Sequence, residues 1–158
     1  MRPEPTRLNT LRAIWTALRP GGRLVFEMGG AGNVGEAHTA LVYALARHAD
    51  LSPAEARQRS PWFFPSDTWM RGALEGVGFL VDRLELEYRP TKLTEGRAGG
   101  LAGWIRLMGA DMLDGFDEAK TTEVVREICD VLADVCGRGD EGVFLGYVRL
   151  RGVARKPG

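Results

Sequence analysis

Arg23-Leu24-Val25-Phe26-Glu27-Met28-Gly29-Gly30-Ala31-Gly32-Asn33-Val34-Gly35 reads as a short apolar strand, a glycine-rich loop and the opening of a helix. Gly30, Gly32 and Gly35 spell G-x-G-x-x-G, the spacing that lets backbone turn tightly and approach a pyrophosphate at a helix N-terminus. The local context is the required one, with a strand before and a helix after. The next requirement fails. A dinucleotide unit needs a second parallel strand about 20 residues on, ending in an acidic residue for the ribose. Asp50 has the spacing, but it ends a helical pattern and leads into Leu51-Ser52-Pro53 and another helix. No β-rich run comes before Leu80. The stretch therefore reads as a turn where backbone closely approaches a ligand or a neighbouring element.

Upstream, Leu8, Leu11, Ile14, Trp15 and Leu18 follow the 3.6 period and predict a helix over 6–18. Pro20-Gly21-Gly22 stops it and turns the chain into the strand. Leu24-Val25-Phe26 is apolar without alternation, which predicts burial on both faces. Glu27 at the strand's end then requires a hydrogen-bond partner or a place at the crevice where open α/β sheets bind ligands.

Downstream, a helix carries Val34, His38, Leu41, Val42 and Leu45 on one face. Ser52-Pro53-Ala54-Glu55 is a capping box with proline at the first helical position. Ser60-Pro61-Trp62-Phe63-Phe64-Pro65 is extended, because a residue before proline is pushed out of the α region. Ser66 caps the next helix and Gly78 ends it. A strand over 79–89 alternates Leu84, Leu86 and Tyr88 with Arg83, Glu85 and Glu87, predicting one wet face at a sheet edge and an end at Pro90. A loop follows over 91–98, then helices over 99–116 and 117–136. The second of these points Val124, Val125, Ile128, Val131, Leu132 and Val135 inward. A last strand covers 143–154. There is no internal repeat or linker, and one compact α/β domain over 1–158 is expected.

Composition narrows the partners. Lys plus Arg equals Asp plus Glu, 21 each, in 158 residues, so no net charge draws the chain to nucleic acid or to an anionic membrane. No apolar run approaches the roughly 20 residues that span a bilayer, and 1–5 contain no signal-peptide core. Cys129 and Cys136 lie seven apart in a helical pattern, about 10 Å from each other and beyond disulfide reach. They read as core thiols of a cytoplasmic protein. No cluster has metal-ligand spacing. His38 on an apolar helix face is more often a packed core histidine than a catalytic one, and His48 near a helix C-terminus suits the dipole. Trp62-Phe63-Phe64 between two prolines is either core under a loop or the wall of a small-molecule pocket. Trp104 and Arg106 pose the same choice.

These residues together resemble a known family. Leu18-Arg19-Pro20-Gly21-Gly22-Arg23-Leu24-Val25-Phe26-Glu27 is similar to the turn and fifth strand of class I S-adenosylmethionine-dependent methyltransferases. Further along come Glu27-Met28-Gly29-Gly30 with Asn33-Val34, Pro61-Trp62-Phe63-Phe64-Pro65-Ser66 and Gly78-Phe79. Arg89-Pro90-Thr91 with Leu93, Gly100-Leu101 with Trp104-Ile105, and Tyr147-Val148-Arg149-Leu150-Arg151 with Ala154 and Lys156 complete the series. This order resembles the trans-aconitate methyltransferase-like branch over nearly the whole chain.

The resemblance implies the C-terminal portion of a Rossmann-like sheet, three strands in the order 5-7-6 with the last antiparallel. The helices over 99–136 would be a substrate-covering insertion between strands six and seven. It also implies transfer of a methyl group from S-adenosylmethionine to a small molecule, most often to a carboxylate oxygen. Glu27, Met28 and Asn33 would floor the pocket, Trp62 and Phe63 would wall it, and Trp104 and Arg106 would cover it. Glu27 is the candidate catalytic group, with a structural hydrogen bond as its other reading. The family's cofactor groups follow strands one to four, and nothing in this chain corresponds to them. Weak or no cofactor binding by this chain alone is therefore expected. The 23–28 strand would have an open edge, suited to self-association or to pairing with a missing N-terminal half. A non-catalytic ligand-binding or interaction domain derived from a methyltransferase is the alternative.

Overall fold

The structure, a computed structural model, describes residues 4–95 and 99–158, and the side chains of all of these but 4 and 5. The start of the chain over 1–3 and the end of the expected 91–98 loop lie outside the described residues. The described elements run α1 (Glu4–Ala17), β1 (Arg23–Gly29), α2 (Gly35–His48), α3 (Pro53–Gln58), α4 (Asp67–Val77), β2 (Leu80–Lys92), α5 (Gly100–Met108), α6 (Ala110–Leu113), α7 (Glu118–Cys136) and β3 (Phe144–Arg155). They divide into two compact units.

The sheet unit comprises 4–33, 63–89 and 147–158. Its strands lie in the order β1-β3-β2. β3 is antiparallel to β1, with Arg23 opposite Arg155 and Gly29 opposite Arg149. This is the expected 5-7-6 arrangement with the last strand in the middle. Helices α1 and α4 pack together over one face of the sheet. Between them and the strands lies a core of Met70, Leu74, Phe79, Leu150 and Ala154, flanked by Leu11, Ile14, Trp15, Leu24, Phe26, Met28 and Leu84.

The P-G-G turn works as the sequence suggests. Gly21 adopts φ 73°, and its N–H donates to the carbonyl of Lys156 at 3.0 Å. Lys156 answers from the other strand end: its Nζ donates to the carbonyls of Trp15 at 3.0 Å and Leu18 at 2.9 Å. A cation on the last carbonyls of α1 satisfies acceptors that the helix itself leaves open.

Two expectations about the strands are corrected. β1 is not buried on both faces: Val25 is 72% exposed, and Glu27 points the same way. Helices of this unit cover only one face, so alternation wins over the apolar run. β2 does not stop before Pro90 but continues to Lys92. On an edge strand the missing N–H would have faced solvent, so proline breaks no ladder bond. The expected alternation of β2 also holds only in part, since Leu84 packs into the core while Leu86 and Tyr88 are exposed.

The helical unit comprises 34–62 and 90–146. α2 packs against α7 and α3, and α5 packs against α7 and α6. Its buried side chains include Leu41, Leu45, Ile105, Met112, Val124, Ile128 and Leu132. The Ser52 capping box forms as predicted, with Glu55 Oε2 accepting the Ser52 N–H at 2.9 Å. His48 Nε2 lies 2.8 Å from Glu127 Oε2, and Arg47 donates to Glu127 Oε1 at 2.9 Å, clasping α2 to α7.

The helix expected over 99–116 is broken at Gly109, where a Cβ would press on the Ile105 carbonyl and on Leu41. Nor do Val131 and Val135 face inward. They are exposed beside Tyr43, because α2 covers only the stripe through Val124, Val125, Ile128, Leu132 and Cys136. Cys129 and Cys136 are free thiols, and burial pushes Cys136 up to about 11, so it is an inert core residue.

Candidate functional site

The glycine-rich loop shows what its glycines are for. Gly30 donates its N–H to the Val148 carbonyl at 2.9 Å, and Ala31 donates to Pro65 at 2.9 Å. Asn33 N–H closes back on Gly30 at 3.0 Å, while Val34 N–H donates to Gly146 at 2.9 Å. A Cβ at Gly30 would run into Leu86 and Leu150, whereas one at Gly35 would meet nothing. Val34 turns the chain into α2 at φ 46°, a conformation that costs a β-branched residue about 1–3 kcal/mol. The N–H groups of Gly30, Ala31, Asn33 and Val34 are spent on protein carbonyls. Those four donors are directed at the protein's own backbone.

A cavity of about 220 Å³ lies in the sheet unit, lined by Thr6, Arg7, Thr10, Leu11, Met28, Phe63, Trp69 and Met70. Each lining group has a local reason to be there. Met28 is presented by the carboxyl end of β1, on the strand face that α1 and α4 cover. Trp69 and Met70 stand in the first turn of α4, which is fixed by Ser66 Oγ accepting the Trp69 N–H at 3.0 Å. Phe63 is held out by the extended, proline-flanked segment and packs edge-on against Trp69, with ring centres 4.9 Å apart. Thr6, Arg7, Thr10 and Leu11 come from the first turns of α1. The Arg7 guanidinium lies over the Phe63 ring, 3.6 Å from its centre. Apolar side chains thus make most of the wall, with one cation at it.

The structure brings only part of the expected constellation to this cavity. Met28 and Phe63 line it. Glu27, one residue along the strand, points to the opposite face. There it meets Arg149 Nε at 3.0 Å, Arg151 Nε at 3.0 Å and Arg89 Nη1 at 3.5 Å. The Arg149 hydrogen bond above all, helped by the charges of Arg151 and Arg89 against partial desolvation, holds its carboxyl below the usual range. A carboxylate so stabilised is a poor proton acceptor. Asn33 is buried and uses its Oδ1 to accept the Val148 N–H at 2.9 Å.

Trp62, Trp104 and Arg106 belong to the helical unit. Trp62 stacks at a tilt on His38, with centres 5.2 Å apart, and meets Trp104 edge-on at 6.0 Å. Arg106 bonds Glu118 Oε1 at 3.0 Å and Thr122 Oγ1 at 2.7 Å. Burial, with the charge of Arg57 adding to it, holds His38 below the usual imidazole range, and its Nε2 is buried with no hydrogen-bond partner among the described residues. It is a packed imidazole.

Arg7, Trp69 and Met70 complete the cavity without having been singled out for it. The signal for Arg7 was present: it precedes Leu11 by four and Ile14 by seven, so it lies on the apolar stripe of α1 where a charge needs a reason. No helix among the described residues is long and apolar enough to cross a membrane. Among them no group of His, Cys, Asp and Glu is arranged to hold a metal ion.

No family model matches the chain. An uncharacterized methyltransferase of the fission yeast Schizosaccharomyces pombe is 31% identical over 157 residues, which is 99% of this chain and 58% of that protein. The chain thus spans little more than half of this relative. Its fold matches the crystal structure of a Bacillus halodurans protein assigned as a methyltransferase, with a TM-score of 0.53 at 14% identity. That match covers 98% of this chain and 64% of the other. The second likeness speaks for the fold and the first for the sequence. The sequence likeness is thus to a stretch of a methyltransferase, and the β1-β3-β2 order fits a methyltransferase fold.

Proposed function

We propose that this chain is the substrate-side part of an S-adenosylmethionine-dependent methyltransferase that acts on a small molecule, with a carboxylate oxygen as acceptor. The observation that carries the reading is the apolar cavity at the carboxyl end of β1, in a chain that aligns with a methyltransferase over 99% of its length. Methyl transfer between bound partners asks mainly for an acceptor oxygen held in line with the donor methyl in a water-poor pocket. Met28, Phe63, Trp69 and Met70 supply such a wall, and no nucleophilic side chain is needed. On this reading the methyl donor is held elsewhere in the fold, which the commitment of the Gly30, Ala31, Asn33 and Val34 N–H groups to protein carbonyls supports.

The exposed edge of β1 supports a partner reading as well. β1 is an outer strand of the three, and its free edge suits another strand of the same protein or of a second copy. The test co-expresses the chain with the part of the fission-yeast relative that the match leaves out, then supplies labelled S-adenosylmethionine and a pool of small carboxylic acids. Methyl esters are expected from the pair and not from the chain alone. A folded pair that leaves every acid unmethylated contradicts the reading.

A further inference from the structure

We infer that Arg7 is a specificity-determining residue, anchoring the carboxylate of a small apolar acid in the cavity of the sheet unit. Arg47, Arg71, Arg83, Arg89, Arg106, Arg149, Arg151 and Arg155 each have a carboxylate within salt-bridge distance. Arg12, Arg19, Arg23, Arg57, Arg59, Arg126 and Arg138 have no such partner among the described residues but are exposed, whereas Arg7 has none although the residue is partly buried. It lies over Phe63 and lines a cavity whose other walls are Leu11, Met28, Trp69 and Met70, with hydroxyls only from Thr6 and Thr10. The Phe63 face orients the fork but offers its N–H groups no acceptor. Thr10 donates its own proton back to the Thr6 carbonyl at 3.2 Å, which leaves the Thr10 oxygen as an acceptor but brings no negative charge.

A planar guanidinium with free donors beside an apolar wall is complementary to one ligand chemistry, a carboxylate on a hydrocarbon body. A cavity of about 220 Å³ is at the small end for a ligand site. The ligand is therefore small, with its acid group at α1 and its carbon skeleton against Met28, Trp69 and Met70.

This deepens the proposed function and rests on it in one respect, that the cavity is the acceptor site. It also adds a constraint. A carboxylate clamped by Arg7 has its charge neutralised and its lone pairs engaged, so it is a poor nucleophile toward a methyl donor. The acid group that Arg7 holds is then the handle, and the carboxylate oxygen to be methylated belongs to a second acid group on the same molecule.

The test is a binding titration of the chain with hexanoate and with hexanamide, which have the same shape and differ in charge, with no methyl donor present. Hexanoate is expected to bind saturably, and hexanamide about tenfold or more weaker. Arg7→Met, which keeps the contact over Phe63 but removes the fork, should bring hexanoate down to the amide's affinity. Arg7→Lys should restore part of the difference. Equal binding of acid and amide to the unaltered chain overturns the inference, as does no binding of hexanoate or undiminished hexanoate binding to a folded Arg7→Met chain. The assay involves no methyl transfer, so the two readings can fail separately. Acids bound through Arg7 but never methylated would sink the proposed function and leave this inference standing.

Discussion

Phe79→Ala should destabilise the sheet unit by about 3–5 kcal/mol, the usual cost of deleting a buried phenylalanine and leaving a cavity. Phe79 is 2% exposed, and its N–H bonds the Leu74 carbonyl at 3.0 Å just past the left-handed Gly78. Its ring fills the centre of the cluster formed by Met70, Leu74, Leu150 and Ala154, where α4 meets β3. A domain of this size has only about 5–15 kcal/mol in hand. The substitution should therefore lower the urea midpoint of this unit sharply, and could leave it unfolded at 37 °C. Val25→Ala on the exposed sheet face is the control and should stay within about 0.5 kcal/mol. Comparable effects at the two sites would mean that the core has been misplaced.

The second large effect concerns the glycine-rich loop. Gly30→Val should cost about 1–3 kcal/mol by overpacking, because its side chain has to displace Leu86 and Leu150. Gly35→Ala in the same literal motif should be neutral or stabilising by up to about 1 kcal/mol, since it opens α2 and a Cβ there meets nothing. Thermal melts of the two variants decide the matter. A nucleotide cradle would tolerate both folds and lose ligand at both. A structural turn loses stability at Gly30 alone.

That contrast shows how far the sequence could be read. The G-x-G-x-x-G spelling is a one-dimensional match. Rejecting it needed only the missing second strand, and that was visible in the sequence. The three strands were equally legible, because the P-G-G turn, the glycine loop and the Gly78 stop are local signals, whereas their order came from the family resemblance. So were the caps, since Ser52 and Ser66 act within their own helical turn.

What failed depended on how many faces of an element are covered, which periodicity does not report. Val25 looked buried because it sits in an apolar run, yet helices of the sheet unit cover one face only. Val131 and Val135 lie on the same broad stripe as Ile128 and Leu132, but α2 reaches only part of it. The strand runs on through Pro90 to Lys92, because an edge strand can leave the missing N–H on its solvent side. The candidate site was half legible. Met28, at the end of a strand, and Phe63, between prolines, line one cavity. Glu27 lies on the other sheet face, where it lines a second cavity with Arg83 and Arg151, because periodicity does not say which face of β1 a ligand would meet. Arg7 was overlooked as one charge in a helix that otherwise read cleanly as amphipathic.

The central claim is that this chain carries the substrate side of a methyltransferase fold and that its glycine-rich loop is no cofactor site. Calorimetric titration of the chain with S-adenosylmethionine tests it most directly. The account predicts no saturable binding below about millimolar, where a bound cofactor of this size would otherwise contribute more than about 4 kcal/mol. Low-micromolar binding to the unaltered chain, lost in Gly30→Val, would contradict it.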